Sequence, residues 1–79
     1  SQDIQLFPNP CNDYIRIQLN DVENWNVQIF DTQMKRIAPD VTMNHNNAKE
    51  INVTELSAGI YTIVLSKGSD SVTKQFVKN

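Results

Sequence analysis

A chain of 79 residues with nine acidic and seven basic side chains has a formal charge of −2. That balance supplies neither the attraction for a phosphate backbone on which nucleic-acid binding depends nor a polybasic membrane surface. At this length only about 60 to 65% of the unfolded chain's surface is buried on folding, so one domain with a thin core is expected, with little volume to spare for a catalytic cleft or cofactor pocket.

Apolar residues recur with period two almost throughout, the signature of half-buried strands. After an opening Leu6-Phe7-Pro8-Asn9-Pro10, the run Tyr14 to Leu19 places Ile15, Ile17 and Leu19 on one face and Arg16 and Gln18 on the other. Trp25 to Asp31 repeats the device with Trp25, Val27 and Ile29 inward, whereas Phe30 breaks the alternation and is expected at a sheet rim or against a neighbouring loop. Asp31-Thr32-Gln33-Met34 reads as a tight turn, because an aspartate in first position accepts backbone N–H groups. Lys35 to Ala38 is a short strand stopped by Pro39, which lacks the donor a ladder requires. Asp40 to Ala48 is the least regular segment, with at most a short edge at Val41 to Met43.

Lys49 to Val53 alternates again, with Ile51 and Val53 inward. Leu56 is expected to plug one end of the core, and Gly59 to provide a positive φ or a close backbone approach. Ile60 to Ser66 is apolar on both faces and belongs in mid-sheet. Lys67 to Asp70 closes a hairpin, and Ser71 to Lys78 returns with Val72, Lys74, Phe76 and Lys78 on one face. Six or seven antiparallel strands joined by short turns predict an all-β, two-sheet sandwich, since a single sheet would leave its apolar face wet. A small barrel is the alternative architecture.

Candidates for chemistry are sparse. No basic-then-apolar signal opens the chain, and Ile60 to Leu65 is far shorter than the roughly 20 residues of a membrane-crossing helix. Cys11 is alone, which excludes an internal disulfide and a thiolate zinc cluster, and it reads as a small buried or half-buried spacer. His45 lies in a polar stretch without companion ligands. Asp3, Asp13, Asp21 and Glu23 lack the dense alternation of a calcium loop, and Asp21, Glu23 and His45 are the one faint handle for hydrolysis. Trp25 and Tyr61 fall in phase with core aliphatics, while Tyr14 and Phe30 fall out of phase and are the aromatics to check for exposure. Asn52-Val53-Thr54 matches a glycan-acceptor pattern by three residues only.

Five blocks, Leu6 to Pro10, Asp13-Tyr14-Ile15, Val27 to Asp31, Leu56 to Tyr61 and Lys74 to Lys78, stand in an order that closely resembles the type A C-terminal sorting domain of the type IX secretion system of Bacteroidetes. The likeness runs from about Ile4 to Lys78. It implies an immunoglobulin-like sandwich that ends a larger secreted precursor, with residues 1–79 as the single sorting domain and the cargo continuous with its N-terminal side. It further implies a non-catalytic address without cofactor, read by the translocon and shuttle components during passage through the periplasm to the cell surface or medium. A surface sortase then removes the domain and attaches the cargo in many members. Pro8, Asn9 and Pro10 match the family's Pro-Asn-Pro, and Gly59 and Tyr61 its Gly-x-Tyr. Lys74, Gln75, Phe76, Val77 and Lys78 match its terminal strand, the principal recognition element. Met34 stands where the family has glycine, and Cys11 where it has a small residue. The competing reading is an accessory carbohydrate-binding or adhesin sandwich, which an outward row of aromatics would favour.

Overall fold

A computed structural model describes residues 4–21, 24–45 and 47–79, with residues 43–45 described by their backbone alone. Eight strands occur among the described residues: β1 (Gln5–Phe7), β2 (Tyr14–Gln18), β3 (Asn26–Phe30), β4 (Arg36–Ile37), β5 (Asp40–His45), β6 (Ala48–Asn52), β7 (Gly59–Lys67) and β8 (Asp70–Lys78). They form two antiparallel sheets ordered β1-β2-β6-β5 and β4-β3-β7-β8. This is the immunoglobulin-like sandwich expected, and β7 lies inside its sheet. The strand beyond those read from the periodicity is β1, three residues long and ended by Pro8, too short for an alternation to show. The segment at residues 40 to 45 is also more regular than its composition suggests. It pairs along β6 with a register shift between Val41 and Met43, so a mostly polar sequence is carried by a partner strand.

Alternation decides the core. Ile15 and Ile17 of β2, Ile29 of β3, Ile51 of β6, Ile63 and Leu65 of β7 and Phe76 of β8 are fully buried or nearly so, and Leu19, Trp25, Val53 and Tyr61 close the ends. Leu56 packs against this cluster from the crossing segment, half-buried. Lys49 shares the inward phase of Ile51, yet its ammonium escapes to the rim and donates to the Trp25 carbonyl at 3.1 Å. Charged pairs stay outside: Arg16 bonds Glu50 at 3.2 Å across β2 and β6, and its guanidinium lies 6.0 Å from the Phe7 ring centre.

Turns follow residue chemistry. In the two-residue loop between Lys67 and Asp70, Gly68 takes φ +59° in first position, as a type II′ turn requires. Asn52 ends β6 by accepting the Thr54 N–H (2.9 Å) and hydroxyl (2.7 Å), so the acceptor-like triplet Asn52-Val53-Thr54 serves here as an Asx turn. The Asp31 carboxylate receives the N–H groups of Gln33 and Lys35, both at 2.9 Å, while its carbonyl receives that of Met34 at 3.0 Å. Met34 is held at φ +62°. The turn thus keeps the left-handed residue that glycine would supply, and Asp31 holds a side chain in it.

That strain is removable, because the Met34 side chain is 65% exposed and contributes little packing. Left-handed backbone costs a non-glycine residue about 1–2 kcal/mol, partly offset by glycine's larger entropy loss on folding. Met34→Gly is therefore expected to stabilise the domain by about 0.5–1 kcal/mol, raising Tm by a few degrees at about 4–8 °C per kcal/mol. A thermal or urea melt in which the midpoint stays put or falls would contradict this account of the turn.

Candidate recognition surface

The last strand is built around one anchor. Phe76 is fully buried and stacks on Tyr61 of β7 with ring centres 5.4 Å apart and planes 19° from parallel. Tyr61 is fixed in turn, since its hydroxyl donates to the Ser57 carbonyl at 2.6 Å. A tyrosine near the start of this strand bonded to backbone just upstream is the tyrosine corner of immunoglobulin-like sandwiches. Gly59, two residues before it, has φ +154°, with nothing within 4 Å of where a β-carbon would sit. Its role is conformational and not one of clearance. Sequence reading offered both explanations, and the geometry selects the first.

Lys74 and Lys78 flank Phe76 two residues away on the same strand face. β8 is the last strand of its sheet, so Lys74 reaches solvent although it pairs with buried Ile63, and Lys78 is half-exposed opposite Gly59. Gln75 and Val77 point to the outer face and are exposed. The five terminal-strand candidates thus divide into one anchor, two flanking cations and two outward side chains.

Pro8, Asn9 and Pro10 are exposed and run beside β8; both prolyl bonds, Phe7–Pro8 and Asn9–Pro10, are cis. The partners of the Asn9 amide lie at the other end of the sequence. Asn9 Oδ1 accepts the Val77 N–H at 2.9 Å, and Asn9 Nδ2 donates to the Gln75 carbonyl at 3.4 Å. Cys11 continues the contact as a parallel bridge to Lys78: its N–H donates to the Val77 carbonyl at 2.8 Å and its carbonyl accepts the Asn79 N–H at 2.9 Å. This pairing joins residues far apart in sequence, which periodicity within a strand does not reveal.

Other candidates do not converge. A shallow, open depression of about 310 Å³ lies between Asp31, Gln33 and the Ser57 to Tyr61 segment, but both Asp31 contacts noted above tie its carboxylate to the turn. Phe7 and Tyr14 (37% and 44% exposed) lie on one sheet with Arg16 between them, and half-buried Phe30 lies on the other. The exposed aromatics are thus one pair beside Arg16 and not an extended row. Asp21 is taken up by Asn24, whose Nδ2 donates at 2.7 Å, and by Lys67 at 3.1 Å. Those two donors hold its carboxyl below the usual range. Any stability this gives is complete above the ordinary carboxylate pKa and is lost as pH falls through the lowered one. Asp3, Glu23 and the His45 side chain lie outside the described residues, and among those described no group of three or more His, Cys, Asp and Glu side chains is placed to hold a metal.

A family model for the secretion system C-terminal sorting domain matches residues 5–79. The chain belongs to that family. No curated protein matches it. As a type IX sorting domain it is a non-catalytic signal that engages the secretion machinery and directs export to the cell surface or medium.

Cys11 lies in the core. The thiol of this sorting domain is fully buried, and desolvation raises its pKa despite opposing contributions from Lys78 and a backbone N–H. The thiolate is thereby disfavoured. A thiol reagent at neutral pH is expected to label Cys11 only as fast as the Pro8 to Cys11 strap along β8, or the whole domain, opens, and to label it at once in denaturant. Rapid labelling of the folded domain would refute the buried placement. Tyr61→Phe removes the corner hydrogen bond while keeping the stack, and is expected to cost about 1–2 kcal/mol in a urea melt. An unchanged midpoint would mean that the corner adds nothing to the anchor.

Proposed function

We propose that residues 1–79 are the C-terminal address of a larger exported precursor, and that the terminal strand is its principal element of recognition. The cargo continues from the N-terminal side, the precursor crosses the periplasm folded, and translocon and shuttle components read the address at the outer membrane. A surface sortase then cleaves the domain and attaches the cargo. The observation that carries the reading is the construction of β8: Phe76 roots it in the core while Lys74, Gln75, Val77 and Lys78 are offered around that root. A surface so anchored gives a partner fixed cation positions with little ordering left to do on binding. The accessory carbohydrate-binding or adhesin alternative is not favoured, because the exposed aromatics among the described residues are two, Phe7 and Tyr14, set beside Arg16 on one sheet, and they do not extend into a row.

The test fuses residues 1–79 behind an exported fluorescent protein in a type IX-competent bacterium. The fusion is expected at the surface or in the medium. Deleting Lys74 to Asn79 also removes the Phe76 anchor and unfolds the domain, so the informative variant is Lys74→Ala with Lys78→Ala. Neither substitution touches a fully buried side chain, so Tm is expected to hold within about 0.5 kcal/mol of stability while delivery falls several-fold. Undiminished delivery of the double variant would remove the cations from recognition. Retention of a folded wild-type fusion in the periplasm would overturn the address itself.

A further inference from the structure

The Pro8 to Cys11 segment does for the terminal strand what a neighbouring strand would do. In β8 the odd-numbered residues direct their backbone groups away from β7, as Val77, Gln75 and Asn79 show by their bonds to Asn9 and Cys11. A flanking strand would meet this row with alternating carbonyls and N–H groups. Pro8 and Pro10 have no N–H to give, and the Asn9 carboxamide supplies the missing pair from its side chain: Oδ1 as the carbonyl facing Val77, Nδ2 as the donor facing Gln75. Cys11 takes over with true backbone pairing on either side of Lys78. Asn79 Nδ2 adds a bond to Asn12 Oδ1 at 3.1 Å. The closure joins residues 66 to 68 positions apart.

Resting on the reading of β8 as the address, we propose that Asn9 is a positioning residue for recognition: its carboxamide completes the outer edge of β8, so that the address exists only when the two ends of the domain have met. A chain end ordinarily frays. Here fraying of Val77 to Asn79 would let Lys78 and the Phe76 anchor drift, and the cation pair would lose its spacing. An unfolded or half-folded precursor, lacking the strap, presents the same residues without their geometry and is not read. The strap has a second effect. It occupies the main-chain edge from Gln75 onward, so a partner reads that part of β8 through side chains, and main-chain pairing is confined to the edge at Ser71, Thr73 and the Gln75 N–H.

The measurement pairs hydrogen exchange on the 79-residue chain with delivery of the fluorescent fusion, for wild type, Asn9→Ala, Asn9→Asp and a core control, Val53→Ala. Asn9→Ala is expected to speed exchange of the Val77 amide about tenfold, to leave β3 and β7 amides near wild type, and to cut delivery several-fold. Val53→Ala lowers global stability at least as much without touching the strap, and is expected to be delivered normally while it folds. Asn9→Asp keeps the acceptor for Val77 and loses the donor to Gln75, so it should fall between Asn9→Ala and wild type. It also carries the test if Asn9→Ala does not fold. Delivery of the Asn9 variants equal to wild type, or a loss that tracks melting temperature identically in Val53→Ala, would overturn the positioning role. A wild-type fusion that is itself undelivered is a different failure, that of the address reading.

Discussion

Burial of Phe76 against Tyr61 is the contact on which most of the remainder turns, because a side chain from the last strand fills the core that all the earlier strands surround. In a domain of this size net stability is a few kcal/mol left over from much larger opposing terms. Losing an aromatic from such a core costs about 3–5 kcal/mol, which is comparable to the whole. The fold therefore cannot close without its terminal strand, and the strand has no fixed geometry without the fold. Closure of the core and fixing of the last strand are the same physical event.

The surrounding polar structure protects that event without competing with it. Tyr61 carries its own acceptor within the crossing segment, so the ring that supports Phe76 is aimed by a bond to Ser57 and leaves no buried hydroxyl unmet. The Arg16 and Glu50 pair and the Asp21 and Lys67 pair sit outside the core, with partly exposed side chains. Such pairs contribute little individually. Among the described residues no acidic side chain pairs with the lysines that flank Phe76, and Lys78 bonds the neighbouring Asn79 main-chain oxygen at 3.1 Å.

Legibility of this molecule in its sequence followed the range of the interactions involved. Ile15, Ile17 and Ile29, or Ile63 and Leu65, announce buried faces because alternation is a local property, and Asp31 announces a turn because its carboxylate reaches only its own neighbours. β1 was hidden by its length, and the pairing of residues 40 to 45 by a mostly polar composition that β6 overrides. Met34 shows another limit: the left-handed residue is demanded by the turn's bonding, and nothing in a methionine advertises it. For the candidate surface, the residues were legible and their relations were not. Asn9 could be marked as an amide between two prolines, but its partners Gln75 and Val77 lie almost the length of the chain away. Only folding brings a site of that kind into being.

Management of sheet edges explains why β8 differs from the other outer strands. A two-sheet sandwich of this order has four edges, at β1, β5, β4 and β8, and an open edge invites pairing with any extended chain. β1 has three residues and β4 two, too few to template a partner. β5 is broken by its register shift between Val41 and Met43, and bulges of that kind interrupt regular pairing. β8 has nine residues in unbroken register with β7, the long regular edge that a soluble protein would be expected to blunt. The strap blunts it from Gln75 to Asn79 and leaves the hydroxyl-bearing half around Ser71 and Thr73 open. Protection thus falls on the half of the strand that carries Phe76 and Lys78, and the remaining main-chain edge lies next to it on the same strand.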